Sequence, residues 1–235
     1  MGERIGTVDA LWRYPVKSMQ GESCDQVVLN ERGAEGDRLY AVRDHNGKFG
    51  SGKTTRRFTK MDGLFRFRSF YEDGKLGIEF PDGTKRIGLS PKTDLALSQL
   101  LGQPVRLAAE AAVSHFDAAP VHLLTQAALS SLRRALPDMR IDERRFRPNL
   151  LLNVIGNEPL EHSWIGRQLR IGTEVVLEIT ELTERCVMTT FAQSELPYEP
   201  KLLRHLAEVY DANFGVYAKV VQGGIAALHD TVELI

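Results

Sequence analysis

Apolar and polar residues alternate in short runs through the first part of the chain, and turn-forming pairs separate them. Leu39-Tyr40-Ala41-Val42 precedes Asn46-Gly47, Phe65-Arg66-Phe67-Arg68 alternates strictly, and Leu76 to Phe80 lies between Asp73-Gly74 and Asp82-Gly83. A period of two broken by such pairs predicts a hairpin-rich β region with short, evenly spaced strands. Three segments switch to the helical period. Asp94 to Leu101 carries Leu95, Leu97, Leu100 and Leu101 as its apolar positions, with Gly102 placed to end it. Gln126 to Leu136 has Thr125 as its N-cap and Pro137 just beyond its end. The third helix starts near Pro200, with Leu202, Leu203, Leu206 and Val209 as its stripe. Strand patterns return at Leu150-Leu151-Leu152, Val175 to Ile179, and Val216 to Val221, the last followed by Gly223-Gly224. The predicted fold is mostly β, of the β-barrel type, with a few peripheral α-helices; periodicity does not give the order of the strands.

The 235 residues, 43% hydrophobic and 26% charged, suffice for one sizeable core or two small joined domains. The 30 Lys and Arg nearly cancel the 31 Asp and Glu, so no global field favours nucleic acid or an anionic membrane, and any anion site has to be local. Met1-Gly2-Glu3-Arg4-Ile5 lacks the apolar stretch of a signal peptide, and no run reaches the roughly 18 apolar residues of a spanning helix. A cytoplasmic protein with no membrane partner is expected. Cys24 and Cys186 form neither a disulfide framework nor a zinc pattern, which fits a reducing compartment.

Gly47-Lys48-Phe49-Gly50-Ser51-Gly52-Lys53-Thr54 satisfies the phosphate-loop pattern. Such a loop has to leave a buried parallel strand and open a full helix whose N-terminus holds the phosphates. Here Asn46-Gly47 reads as a hairpin turn, and Asp62-Gly63 interrupts the chain too soon for a helix, so nucleotide binding is rejected. Lys53, Arg56 and Arg57 remain as a local basic cluster, either a solvated face or the rim of an anion's entrance. None of the six histidines falls into a metal-binding array, and no glycine-flanked nucleophile elbow points to acyl transfer.

Three further segments carry chemistry. Cys186 lies in Thr183-Glu184-Arg185-Cys186-Val187-Met188-Thr189-Thr190, after a strand ending near Thr180. A cation beside a thiol favours the thiolate, the nucleophilic and metal-ligating form; the alternative is an inert, buried cysteine, which is also the reading for Cys24. In Phe146-Arg147-Pro148-Asn149-Leu150, proline is expected to hold Arg147 extended at the start of a strand, where a planar guanidinium suits phosphate. Pairing with Asp142 or Glu143 is the structural alternative. Leu11-Trp12-Arg13-Tyr14-Pro15-Val16-Lys17-Ser18-Met19 brings a lysine and a serine to a strand-to-turn transition, a second anion-binding set.

Taken together, Tyr14-Pro15-Val16-Lys17-Ser18, Gly36-Asp37-Arg38, Arg147-Pro148-Asn149, the Thr183 to Thr190 block and Phe214-Gly215-Val216-Tyr217 resemble the MOSC family, found in molybdenum cofactor sulfurases and amidoxime-reducing molybdenum proteins. The likeness spans nearly the whole chain and decides in favour of a reactive Cys186. It implies an N-terminal-type β-barrel region over 1–92, a MOSC domain over 93–235, and a molybdenum-pterin cofactor (Moco) whose metal or sulfur meets Cys186. By the same likeness Lys17, Ser18 and Arg38 contact its phosphate or pterin, Arg147 and Asn149 form the opposite wall, Thr125 and Gln126 offer helix N-terminal amides, and Tyr217 lines the pocket. With Ile235 following the last strand closely and no desulfurase domain upstream, the expected partners are separate proteins. They are an electron donor for an oxidoreductase acting on N-hydroxylated or other N- or S-oxygenated small molecules, or a sulfur-donating desulfurase for a persulfide-carrying Cys186.

Overall fold

A computed structural model describes residues 2–156 and 161–235. Its largest sheet runs Leu150–Val154, Val121–Thr125, Asn213–Gln222, Val175–Glu184, Gln168–Ile171, Thr231–Leu234, Glu3–Arg13, Glu22–Cys24. Glu3–Arg13 also pairs with Leu150–Val154, which closes the first seven strands into a barrel and leaves Glu22–Cys24 as an outer extension. The first strand of the chain therefore completes a barrel otherwise built from its second half. The neighbours are antiparallel except Val121–Thr125 with Leu150–Val154, and that parallel pair is spanned by a helix, as parallel connections require.

The barrel is filled by alternate residues of its strands. Val175, Leu177 and Ile179 on one strand and Val216 and Ala218 on the next are fully buried in a single apolar cluster with Val8, Leu123, Leu152 and Leu169. A second cluster, including Val16, Met19, Val42, Leu64 and Phe67, lies under a four-stranded sheet (Val105–Ala109, Tyr40–Asp44, Phe49–Ser51, Phe58–Lys60) and a three-stranded one (Lys85–Ile87, Lys75–Glu79, Arg68–Glu72).

Among the described residues three α-helices cover the surface. In α1 (Pro91–Leu101) the Ser90 hydroxyl accepts from Thr93 N, and Gly102 ends the helix at φ 67. In α2 (Gln126–Ala135) Thr125 Oγ1 accepts from Ala128 N, and α3 (Pro200–Tyr210) opens on its proline. Leu95 and Val209, expected in apolar stripes, are 60% and 57% exposed; Leu97, Leu202 and Leu206 do the packing. The alternation at Phe65 to Arg68 is not a strand throughout. Gly63 at φ 91 opens a 3-10 turn over Leu64–Arg66, which buries both Phe65 and Phe67, and the strand begins only at Arg68. Among the described residues no helix is long and apolar enough to cross a membrane.

Candidate functional site

The strand Val175–Glu184 runs four residues past Thr180, where the sequence placed its end, and its register against Asn213–Gln222 slips after Ile179 and again after Leu182. Such bulges re-aim side chains. Beyond them, Glu181, Glu184, Arg185 and Cys186 reach a cavity of about 370 Å³ outside the packed barrel interior. Cys186 is half-buried and leads a 3-10 turn, Val187–Thr190, in which the Thr189 hydroxyl donates to Cys186 O at 3.0 Å.

Seven Lys and Arg side chains line this cavity against three carboxylates, a local excess of positive charge in a nearly neutral chain. Lys17, buried, donates to His115 O and to Asp117, each at 2.7 Å. Burial pulls its pKa down to about 8, and Asp117, itself 61% exposed, only partly opposes that shift. Arg38 pairs with the fully buried Asp37, whose carboxylate also accepts from Tyr14 N at 2.7 Å. Burial works against the Arg38 charge, but Asp37 outweighs it and holds the pKa above its usual value.

Arg147 has no such partner. Its guanidinium lies 4.2 Å from the Tyr14 ring centre and 5.6 Å from that of Phe65, it donates to Met19 O, and the buried Nη2 makes no hydrogen bond. Burial, with Arg38 close by, lowers its pKa to about 10. Neither Asp142 nor Glu143 pairs with it: Asp142 instead binds Arg144. The expected extended backbone is also corrected, for Arg147 sits at φ 57. Phe146 N–H closes the 3-10 turn Glu143–Arg145 on Glu143 O at 2.9 Å, and Arg147 N–H donates to the same carbonyl at 3.2 Å, a left-handed helix stop that Pro148 then makes final. Ser18 (φ 64) and Arg38 (φ 50) are left-handed too, so three cavity residues hold a backbone that side chains normally avoid.

Arg185, the cation beside Cys186, is clamped from behind. Its Nε donates to Phe214 O at 2.7 Å, Nη1 to Phe146 O at 3.0 Å, and Nη2 to His122. Burial and then Arg185 push the His122 pKa well below its usual value, so the imidazole is neutral and accepts that bond. Tyr217, whose pKa is raised by burial, packs against His122 on the cavity wall.

Of the residues singled out in the sequence, Lys17, Ser18, Arg38, Arg147, Cys186 and Tyr217 line this one cavity. Thr125, Gln126 and Asn149 do not. Thr125 is spent on its helix cap and on a hydrogen bond to Glu161, and Gln126 binds Asp9 on the surface. Asn149 ties two strands together, accepting from His122 N at 3.1 Å and donating to Trp12 O at 3.3 Å. Lys53 and Arg57 of the basic cluster reach the cavity, whereas Arg56 stays outside. His122 was not singled out in the sequence, where no histidine falls into a metal-binding array; it meets Arg185 because its strand and the one leading to Arg185 both pair with Asn213–Gln222. Among the described residues no group of three or more His, Cys, Asp and Glu side chains is arranged to hold a bare metal ion.

Profiles of two protein families match this sequence, the MOSC domain over residues 108–233 and the MOSC N-terminal beta barrel domain over residues 5–122. The chain belongs to the MOSC-domain family. Its fold is shared with the crystal structure of YuaD protein from Bacillus subtilis, at a TM-score of 0.55 and 14% identity over 100% of this chain and 98% of that one. YiiM from Geobacillus stearothermophilus aligns at a TM-score of 0.40 and 14% identity over 50% of this chain and 54% of its own, too distantly to carry an argument. No curated protein sequence matches the chain.

Proposed function

We propose that this cavity binds a molybdenum-pterin cofactor and that the protein is an oxidoreductase for N-hydroxylated or other N- or S-oxygenated small molecules. The observation that carries the reading is Arg147, a buried cation with no carboxylate partner, an unbonded Nη2, and a second guanidinium beside it. A buried charge is costly unless an opposite charge meets it, so this wall suits an anion, and the phosphate of a phosphorylated pterin is one. Lys17, Ser18, Arg38 and Arg147 would hold that phosphate and pterin, and Cys186 would be the protein's ligand to the metal, a soft thiolate for a sulfur-rich centre. When bound, the cofactor supplies two-electron redox chemistry. The fold holds the cations in place beforehand, through Asp37 on Arg38 and the Tyr14 ring on Arg147, so that binding does not have to order them. Reducing an N-hydroxyl group consumes two electrons and two protons and releases water, with the electrons coming from a separate donor protein.

Protein produced in a host that makes the cofactor tests this reading. Wild type should carry stoichiometric molybdenum and pterin and reduce an N-hydroxylated test substrate with a supplied donor. Cys186→Ser should fold and lose that activity, whereas Cys24→Ser should match wild type, its thiol being pushed up to about 11 by burial. A metal-free wild type carrying sulfane sulfur on Cys186 would overturn the oxidoreductase reading in favour of a sulfur carrier served by a desulfurase.

A further inference from the structure

The glycine-rich segment that imitates a phosphate loop has a different physical explanation here. Phe49–Ser51 is a short strand running parallel to Phe58–Lys60, and no helix follows Thr54. Gly52 is not left-handed, so its lack of a side chain answers to space and not to backbone conformation. A Cβ on Gly52 would overlap the Phe191 ring and stand 2.9 Å from Met188 Sδ. Gly52 N donates to that same sulfur at 3.1 Å. Met188 lies on the turn led by Cys186, and both line the cavity. The glycine therefore lets one backbone lie flush against the cysteine-bearing turn.

The residues that follow Gly52 carry charge into the same cavity. Lys53 Nζ lies 5.5 Å from the Phe58 ring centre, and the Arg57 guanidinium 5.3 Å from that of Phe49. Arg57 Nη2 also donates to Ser114 O at 2.5 Å and Phe116 O at 2.8 Å, just before Asp117, the partner of Lys17. One segment is thus pinned to the cysteine turn at Gly52 and to the Lys17 wall at Arg57.

We infer that Gly52 is a positioning residue. It docks the Gly50–Arg57 arm on the Met188–Phe191 face, so that Lys53 and Arg57 stand over the anion held by Arg147 and Lys17. The arm then favours doubly charged, phosphate-bearing ligands over singly charged ones. This rests on the anion-binding reading of the cavity and adds to it a segment that reading leaves out.

Inorganic phosphate titrated into cofactor-free protein tests the inference through a double-mutant cycle. Gly52→Ala should weaken phosphate binding about tenfold, as should Lys53→Ala with Arg57→Ala, and adding Gly52→Ala to that pair should weaken it no further. Met188→Leu, which keeps the volume and removes the sulfur acceptor, should give a smaller loss that also vanishes in the paired background, and it decides the matter if Gly52→Ala does not fold. A wild type that binds no phosphate would remove the anion-binding reading itself. Binding by wild type with an unchanged Gly52→Ala or Met188→Leu, or with losses that simply add to those of the arm cations, would overturn the positioning role alone.

Discussion

Two sets of polar residues flank the same strands, and they are spent differently. Arg147, Lys17 and Arg38 converge on a cavity with positive charge that the protein does not fully neutralise. Thr125, Gln126 and Asn149 spend their side chains within the protein: Thr125 on a helix cap and Glu161, Gln126 on Asp9 and Arg133, and Asn149 on the backbone of His122 and Trp12. The difference teaches that a polar residue is available to a ligand only to the extent that the fold has not already used its donors and acceptors.

Mutation should therefore separate affinity from stability. The largest effect belongs to Arg147→Ala. Losing charge-assisted hydrogen bonds worth about 1.5–3 kcal/mol should weaken cofactor retention by roughly one to two orders of magnitude, with little change in melting temperature. Next comes Asn149→Ala, which strands the buried His122 N–H and should cost about 1–3 kcal/mol in chemical denaturation while the folded protein keeps its ligand affinity.

Lys17 gives a pH signature. Its lowered pKa means that the cation is lost as pH rises through about 8, so affinity for sulfate, whose charge is constant there, should fall by up to about tenfold between pH 7 and pH 9. Stability should move the opposite way. Between about 8 and the ordinary lysine value of 10.5 the unfolded chain binds more protons than the folded one, so this group makes the ligand-free protein more stable as pH rises through that window. A parallel decline of both would break the comparison. Thr125→Ala is the smallest, a cap loss of about 1 kcal/mol in thermal unfolding with affinity unchanged.

The fold class, the helix starts at Thr125 and Pro200, and the hairpin turn at Gly47 were legible because local chemistry sets them: a capping hydroxyl, a proline, a glycine at φ 76. Leu95 and Val209 were misplaced because helical period tells which residues share a face, not how much of that face a neighbour covers. The barrel was not legible at all in its order, since Glu3–Arg13 meets partners in the second half of the chain, Leu150–Val154 and Thr231–Leu234. In the site, the motif residues Lys17, Arg38, Arg147 and Cys186 come together on one cavity. The motifs failed for Arg147's backbone, where the preceding turn, and not Pro148, decides the conformation. Asn149 falls outside that lining because its amide ties together the two strands beside it, a pairing no local motif displays.

The most direct test counts molybdenum and pterin per chain in Arg147→Ala and Asn149→Ala, purified from the same cofactor-making host as wild type. The account predicts a folded Arg147→Ala that is depleted of both, and an Asn149→Ala that is less stable yet, where folded, loaded like wild type. A fully loaded Arg147→Ala beside a folded but empty Asn149→Ala would contradict it.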